Sequence, residues 1–313
     1  RGGAAHPILV EAVAEFGEAV RLSSGDAGHH LDRARAWRQL GRAEAMRGLD
    51  PRASYARAIE DVEEAARRGA VGPQAQGLRG LLLRTLGDAQ AARGEDPRES
   101  YRRAIQGFTG GLDGSEMDAT VLSNRGAAWA QLGEAERERG GDAAACLKKA
   151  IEDYDAAIQR DPRHAVALNN RALAYRSLGF IEAGRGGDPR PSYKRAIEGF
   201  DAAIARDPAY AAAWSNRGSA LGEMGDAELT RGGDPQPWYR KGIEDHTQAI
   251  ARNTGDAVPR DNRGILWYKL GEAQAPTGQD PRDSYRNAIA DEDEALRINP
   301  KHANGWLHRG HAR

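Results

Sequence analysis

The stretch "RHAVALNNRALAYRSLGFIEAGRGGDPRPSYKRAIEGFDAAIARDP", residues 163–208, carries two apolar stripes of helical period on either side of one turn signal. In its second half, Tyr193, Ala196, Ile197, Phe200, Ala203 and Ile204 recur at three- and four-residue steps, which places them on one face of a helix. In its first half, Leu168, Ala172, Tyr175 and Leu178 make a second stripe. Between them lies Gly186-Gly187-Asp188-Pro189. Glycine ends a helix in the left-handed C′ position, Asp caps the next N-terminus, and Pro fits its first turn. The stretch therefore predicts a helix, a tight turn and a second, antiparallel helix.

The same pattern extends in both directions. Asp-Pro stands at 50–51, 96–97, 188–189, 234–235 and 280–281, a step of 46 residues with one copy replaced by Asp142-Ala143. Leu40-Gly41, Leu86-Gly87, Leu132-Gly133, Leu178-Gly179, Met224-Gly225 and Leu270-Gly271 keep the same step with no insertion or deletion. One helix pair cannot bury both stripes by itself; stacked neighbours can. The expectation is an all-α, right-handed superhelical solenoid of antiparallel helix pairs. It forms a single array over 1–313: a lone helix at 6–22, six repeats over about 25–300, and a truncated seventh first helix at 301–313. The start at Arg1 and the stop at Arg313 inside the pattern read as those of a fragment. "FTGGLDGSEMD" (108–118) should end its helix early and bend the array, and Pro276 should shorten the sixth first helix.

Once the repeat is laid out, its residues resemble the tetratricopeptide repeat (TPR). "AIEDYDAAIQRDP" (150–162) is similar to that family's second helix, with Ala150, Ala157, Tyr154 and Pro162 at signature positions. "AYAAAWSNRGSALGEMG" is similar to the first helix, with Trp214, the small residue Gly218 and a helix-end glycine at Gly225. The family repeat has about 34 residues, and the longer repeat here implies longer helices in a broader ribbon. A second departure is an arginine where the family has leucine: Arg33, Arg79, Arg125, Arg171, Arg217, Arg263 and Arg309. A partly buried guanidinium needs a partner. The candidates are the Glu/Gln eleven residues later (Glu44, Gln90, Glu136, Glu182, Glu228, Gln274) or an acid on the second helix such as Glu152 or Glu198.

Composition narrows the function. Lys+Arg is 45 against 46 Asp+Glu, without the basic surplus that nucleic acid demands. No apolar run approaches the roughly 20 residues of a membrane span, and no secretory leader pattern is present. A single cysteine, Cys146, reads as a small packing residue and excludes an internal disulfide framework. These features point to a cytoplasmic chain with neither nucleic acid nor membrane as partner.

Asn124, Asn170, Asn216 and Asn262 recur at the repeat step, each followed by arginine. On a wheel of about 100° per residue, Asn170 points about 200° away from Leu168, opposite the buried stripe. In the TPR resemblance this side of the first helix lines the concave groove. Asn offers two donors and an acceptor, so a row of them can hold an extended peptide by its main chain. This resembles the asparagine ladder of TPR peptide-binding grooves. The neighbours Ala127, Leu173 and Ser219 leave room for ligand side chains, and the groove positions are neutral apart from Glu223 and Lys269. A hydrogen bond between neighbouring repeats is the other use open to these asparagines. Repeats one and two have Asp32 and Leu78 in the column.

No enzyme, cofactor or metal pattern emerges. His302, His308 and His311 match no standard metal spacing, and "RGGDP" follows a helix where a phosphate loop would follow a strand. Acidic "ADEDEAL" (290–296) reads as a solvated helix face. The expected function is a peptide- or protein-binding scaffold. Two other readings are the docking arm of a larger kinase, glycosyltransferase or caspase-like protease, and a homo-oligomer formed through the array's open ends, with Trp306 and Leu307 on the last helix.

Overall fold

The computed structural model describes residues 2–23, 25–112, 118–300 and 303–312. Among these there are fourteen α-helices, one short 3-10 turn and no strand. The chain divides into two compact units, one ending at Asp161 and the other beginning at Pro162. The first holds α1 (Gly2–Leu22), α2 (Ala27–Met46), α3 (Arg52–Arg67), α4 (Pro73–Ala91), α5 (Arg98–Gly110), α6 (Ala119–Glu138) and α7 (Ala143–Arg160). The second holds α8 (Ala165–Gly184), α9 (Arg190–Arg206), α10 (Ala211–Thr230), α11 (Gln236–Arg252), α12 (Val258–Gln274), α13 (Arg282–Ile298) and α14 (Ala303–Ala312). Within each unit every helix packs on its neighbours in sequence. First helices also touch one another: α4 and α6 in one unit, and α8, α10, α12 and α14 in succession in the other.

The turn chemistry is uniform. Gly48, Gly94, Gly140, Gly186, Gly232 and Gly278 have φ between 72° and 79°, one at the same phase of each repeat. Only glycine enters that region without strain. The aspartate that follows accepts the backbone N–H two residues on: Asp50 from Arg52 at 3.2 Å, Asp188 from Arg190 at 3.2 Å, Asp280 from Arg282 at 3.0 Å. First helices reach 20 residues in α2, α6, α8 and α10, about 30 Å at 1.5 Å per residue. Pro276 falls in the 3-10 turn Ala275–Thr277, and α12 stops at Gln274. α5 has only 13 residues, as its glycines predict. The bend expected beyond it involves residues 113–117, which lie outside the described set.

Glycine notches lock most of the pairs at two places. Gly225 lies inside α10, not at its end, because the longer repeat carries that helix on to Thr230. A Cβ there would sit 2.5 Å from the Tyr239 ring, and Gly41 and Gly87 stand in the same relation to Tyr55 and Tyr101. Near the other end of the pair, Gly80 faces Phe108, Gly126 faces Tyr154 and Gly218 faces His246. These aromatic knobs are fully buried, and each large-to-small change there costs about 3–5 kcal/mol.

The arginine column has a different partner from the expected ones. Arg33, Arg125, Arg217 and Arg263 make two-pronged pairs with Asp61, Asp153, Asp245 and Asp291, at 2.5–2.9 Å. The acid is Asp153 and not Glu152, because one residue turns a side chain about 100° around a helix and only Asp153 faces α6. The Glu/Gln set is occupied elsewhere: Glu44, Gln90, Glu182 and Gln274 accept from Ser54, Ser100, Ser192 and Ser284 at 2.7–2.8 Å. Where the aspartate is glycine, at Gly107 and Gly199, this Arg–Asp pairing is replaced, and Arg79 approaches Glu63 at 3.6 Å.

Candidate functional site

In the second unit the asparagine column lies on the exposed side of α8, α10 and α12. Asn170, Asn216 and Asn262 are each half-buried, as is Asn124 on α6 of the first unit. Asn216 donates through Nδ2 to Asn169 Oδ1 at 3.0 Å, and Asn169 Nδ2 donates to Asn170 Oδ1 at 3.1 Å. One of the two uses open from the sequence is present at this position: an inter-repeat bond ties α10 to α8 through Asn216. Among the described residues, no hydrogen bond engages the side-chain amides of Asn124 or Asn262. Asn169 is a residue the sequence reading passed over. It is 2% exposed and sits one position before the ladder, in a column that reads Ser123, Asn169, Ser215, Asp261. The recurrence of small polar residues at the repeat step was the available signal.

The neighbours are also placed. Ala127, Leu173 and Ser219 are half-buried on the same side. Leu173 packs against Ala172, Ala196, Phe200 and Ala220, and Ser219 Oγ donates to Ser215 O at 3.1 Å, back onto its own helix. The two charged groove positions are neutralised. Glu223 takes a two-pronged bond from Arg176 at 2.7–3.0 Å, and Lys269 pairs with Asp226 at 2.6 Å. The Arg176–Glu223 pair crosses from α8 to α10, so this face of the second unit is bridged by polar links.

In the first unit the corresponding face is open. A cleft of about 910 Å³ is walled by Leu31 and Arg38 of α2, Leu78 and Leu81 of α4, and Val121 and Asn124 of α6. Leu78 and Asn124 are successive members of the ladder column, and Leu81 belongs with Ala127, Leu173 and Ser219. Phe108 forms part of its lining. Burial, with Arg42 and Arg84 nearby, pushes the Arg38 guanidinium below its ordinary value, the mark of a cation in a crowded and partly dry setting. Arg35 is held by Asp32 at 2.6 Å. Gln131, on the ladder side of α6, buries an Oε1 with no hydrogen-bond partner. The cleft combines apolar walls, a desolvated cation and the side-chain amide of Asn124, and among its described lining residues no nucleophile stands beside a general base.

No protein-family profile and no curated protein matches the sequence. Solved structures do match the fold. The nuclear import adaptor Nro1 of S. pombe superposes with a TM-score of 0.59 at 10% identity, over 91% of this chain and 99% of that one. The C-terminal part of a TPR repeat-containing protein from Cytophaga hutchinsonii gives 0.54 at 17% identity, over 96% of this chain and 94% of that one. The fold is that of TPR solenoids, stretched to a 46-residue unit. Among the described residues no helix is long and apolar enough to cross a membrane.

Proposed function

We propose that the chain is a protein-binding scaffold that takes an extended peptide on the exposed side of its first helices. Asn124, Asn170, Asn216 and Asn262 contact the ligand's main chain, while Ala127, Leu173 and Ser219 give its side chains room. The observation that carries this reading is the cleft of the first unit, which opens along the columns that hold the asparagines in later repeats. Its apolar walls and Arg38 suit a ligand segment with a bulky apolar side chain beside an acidic one. The likeness to an import adaptor, a protein named for carrying another, agrees with a binding role. The repeat register runs across Asp161–Pro162 without insertion or deletion. The test is capture from the native lysate with identification by mass spectrometry, comparing the parent with Leu78→Asp and with Asn170→Ala/Asn216→Ala. The reading requires the same partners to be lost in both variants while helicity is kept; partners captured equally by all three proteins would refute it.

A second reading, self-association, is favoured by one observation: Trp306 and Leu307 on α14 are 53% and 56% exposed. Light scattering over a range of concentrations separates it, since a dimer would dissociate on dilution and Trp306→Ser would abolish it.

A further inference from the structure

The second knob position along the chain reads Val62, Phe108, Tyr154, Phe200, His246, Glu292. All six are buried to within 1% of complete, so the last of them puts a carboxyl group where the others put a hydrophobic side chain or a ring. Its notch is still cut for a knob: a Cβ on Gly264 would lie 2.8 Å from Glu292 Oε1. Among the described residues, neither carboxyl oxygen of Glu292 has a hydrogen-bond partner at normal geometry. Around it stand Asp261 from α12, which is 6% exposed, and His308 from α14. His308 Nδ1 lies 2.9 Å from Asp261 Oδ1 and 3.8 Å from Glu292 Oε1. One donor atom from each residue falls within 4.8 Å of the other two. The nearby arginines are committed elsewhere: Arg263 to Asp291 at 2.5 Å, Arg309 to Asp293 at 2.7 Å, and Arg260 to the Thr254 and Asp256 carbonyls at 3.0 Å.

We propose that Asp261, Glu292 and His308 bind one divalent first-row transition-metal ion, with Zn²⁺ as the type ion, which pins α14 to α12 and α13. A carboxyl group buried without a hydrogen-bond partner beside a second acid, as Glu292 is beside Asp261, is unfavourable, and a metal ion within reach of both supplies a positive charge. Metal–oxygen and metal–nitrogen bonds of about 2.0–2.2 Å bring donor atoms to roughly 3–3.5 Å from one another, a small closure from the observed spacing. The imidazole selects against Mg²⁺ and Ca²⁺, which prefer oxygen alone. Three protein donors leave coordination positions open, and His308 is half-exposed, so an outside group can reach the ion. Because His308 occupies the ladder column one repeat beyond Asn262, that group could belong to a bound peptide carboxylate or side chain.

The spacing of His308 from His302 and His311 fits no standard metal site. The relevant spacing is to residues 47 and 16 positions earlier, on two other helices.

The test uses the full chain stripped with EDTA and dialysed, then titrated calorimetrically with Zn²⁺. The proposal requires one equivalent bound per chain, a rise in Tm of about 5 °C at 100-fold excess over Kd, and visible absorption bands when Co²⁺ replaces Zn²⁺. His308→Ala should weaken binding about 100-fold. Glu292→Phe, which restores the knob of repeats two and four, should abolish binding in a protein that is folded. Zn²⁺ binding of equal strength in both variants would place the ion elsewhere and overturn the site. The absence of a bound equivalent in the parent would mean that the two carboxyl groups share a proton instead. An equal Tm rise with Mg²⁺ or Ca²⁺ would overturn the choice of metal.

Discussion

The two units are built from one repeat but differ on the side where their first helices are exposed. In the second, Asn216 reaches Asn169 and Arg176 grips Glu223, so the helices are linked by polar bridges. In the first, Leu31 and Leu78 stand in the columns of Asn169 and Asn216 and, with Leu81 from the Ser219 column, line a cleft. The scaffold is shared because the positive-φ turn glycine, the aspartate that starts each second helix and the glycine from Gly41 to Gly271 recur in every repeat. What varies is a small set of columns that do not contribute to the knobs, and these can change from amide to leucine without disturbing the fold. On the proposed reading, the difference separates stability from recognition: they occupy different phases of the same repeat.

The sharpest test of that separation is the arginine column. Arg217→Leu in the second unit should destabilise by about 3 kcal/mol, because it strands the buried Asp245 carboxylate. Arg79→Leu in the first should be neutral or slightly stabilising, since Gly107 offers no acid and the Arg79 Nε is buried without a partner. Urea unfolding of both reads the contrast, and equal losses would break it.

A smaller effect follows from His246, whose ring is fully buried in the knob position and whose pKa is pushed down to about 3 by burial and by Arg263 and Arg176. The folded value lies below the ordinary 6.5, so the unfolded chain binds the proton first. Its contribution is complete above pH 6.5 and is lost as pH falls from there toward 3, by roughly 2 kcal/mol at pH 5. His246→Phe, with Phe108 and Phe200 as precedents in the same column, should flatten this slope. Melting curves at pH 7 and pH 5 decide it, and an unchanged slope would refute the assignment.

The smallest effects concern the ladder. Asn124→Ala, in the first unit, should weaken a captured peptide by roughly fivefold, about 1 kcal/mol, with Tm unchanged. Asn216→Ala should cost as much in affinity and also lower stability by a few tenths to 1 kcal/mol, because it breaks the bond to Asn169. Fluorescence anisotropy and thermal melts, run on both variants, show whether amides on the two units do the same job. Loss of Tm alone would leave the ladder a structural device.

Much of the fold was legible because its signals are local and repeat: a positive-φ glycine, a capping aspartate and two apolar stripes in every copy. That the asparagines lie off the buried stripe was legible from the helical wheel, and all four are half-buried. The partner of the arginines was misplaced by one residue, as Asp153 shows, since a linear spacing does not reveal which flank of the opposing helix faces across. Gly225 was read as a helix end because the family pattern is shorter; its true role, clearance for the Tyr239 ring, depends on a residue 14 positions away. Asn169 and the Asp261–Glu292–His308 cluster needed the packing of separate helices before their neighbours could be known.

The left-handed glycine at one phase of every repeat, from Gly48 to Gly278, also bears on how such a chain can change length. Each is followed by the same kind of helix start and precedes the same interlocking surfaces. An unequal crossover between two of these turns inserts or deletes one whole cassette, and the two cut ends meet in an already compatible joint. The gene can therefore grow or shrink by recombination while the surface residues of each cassette diverge freely.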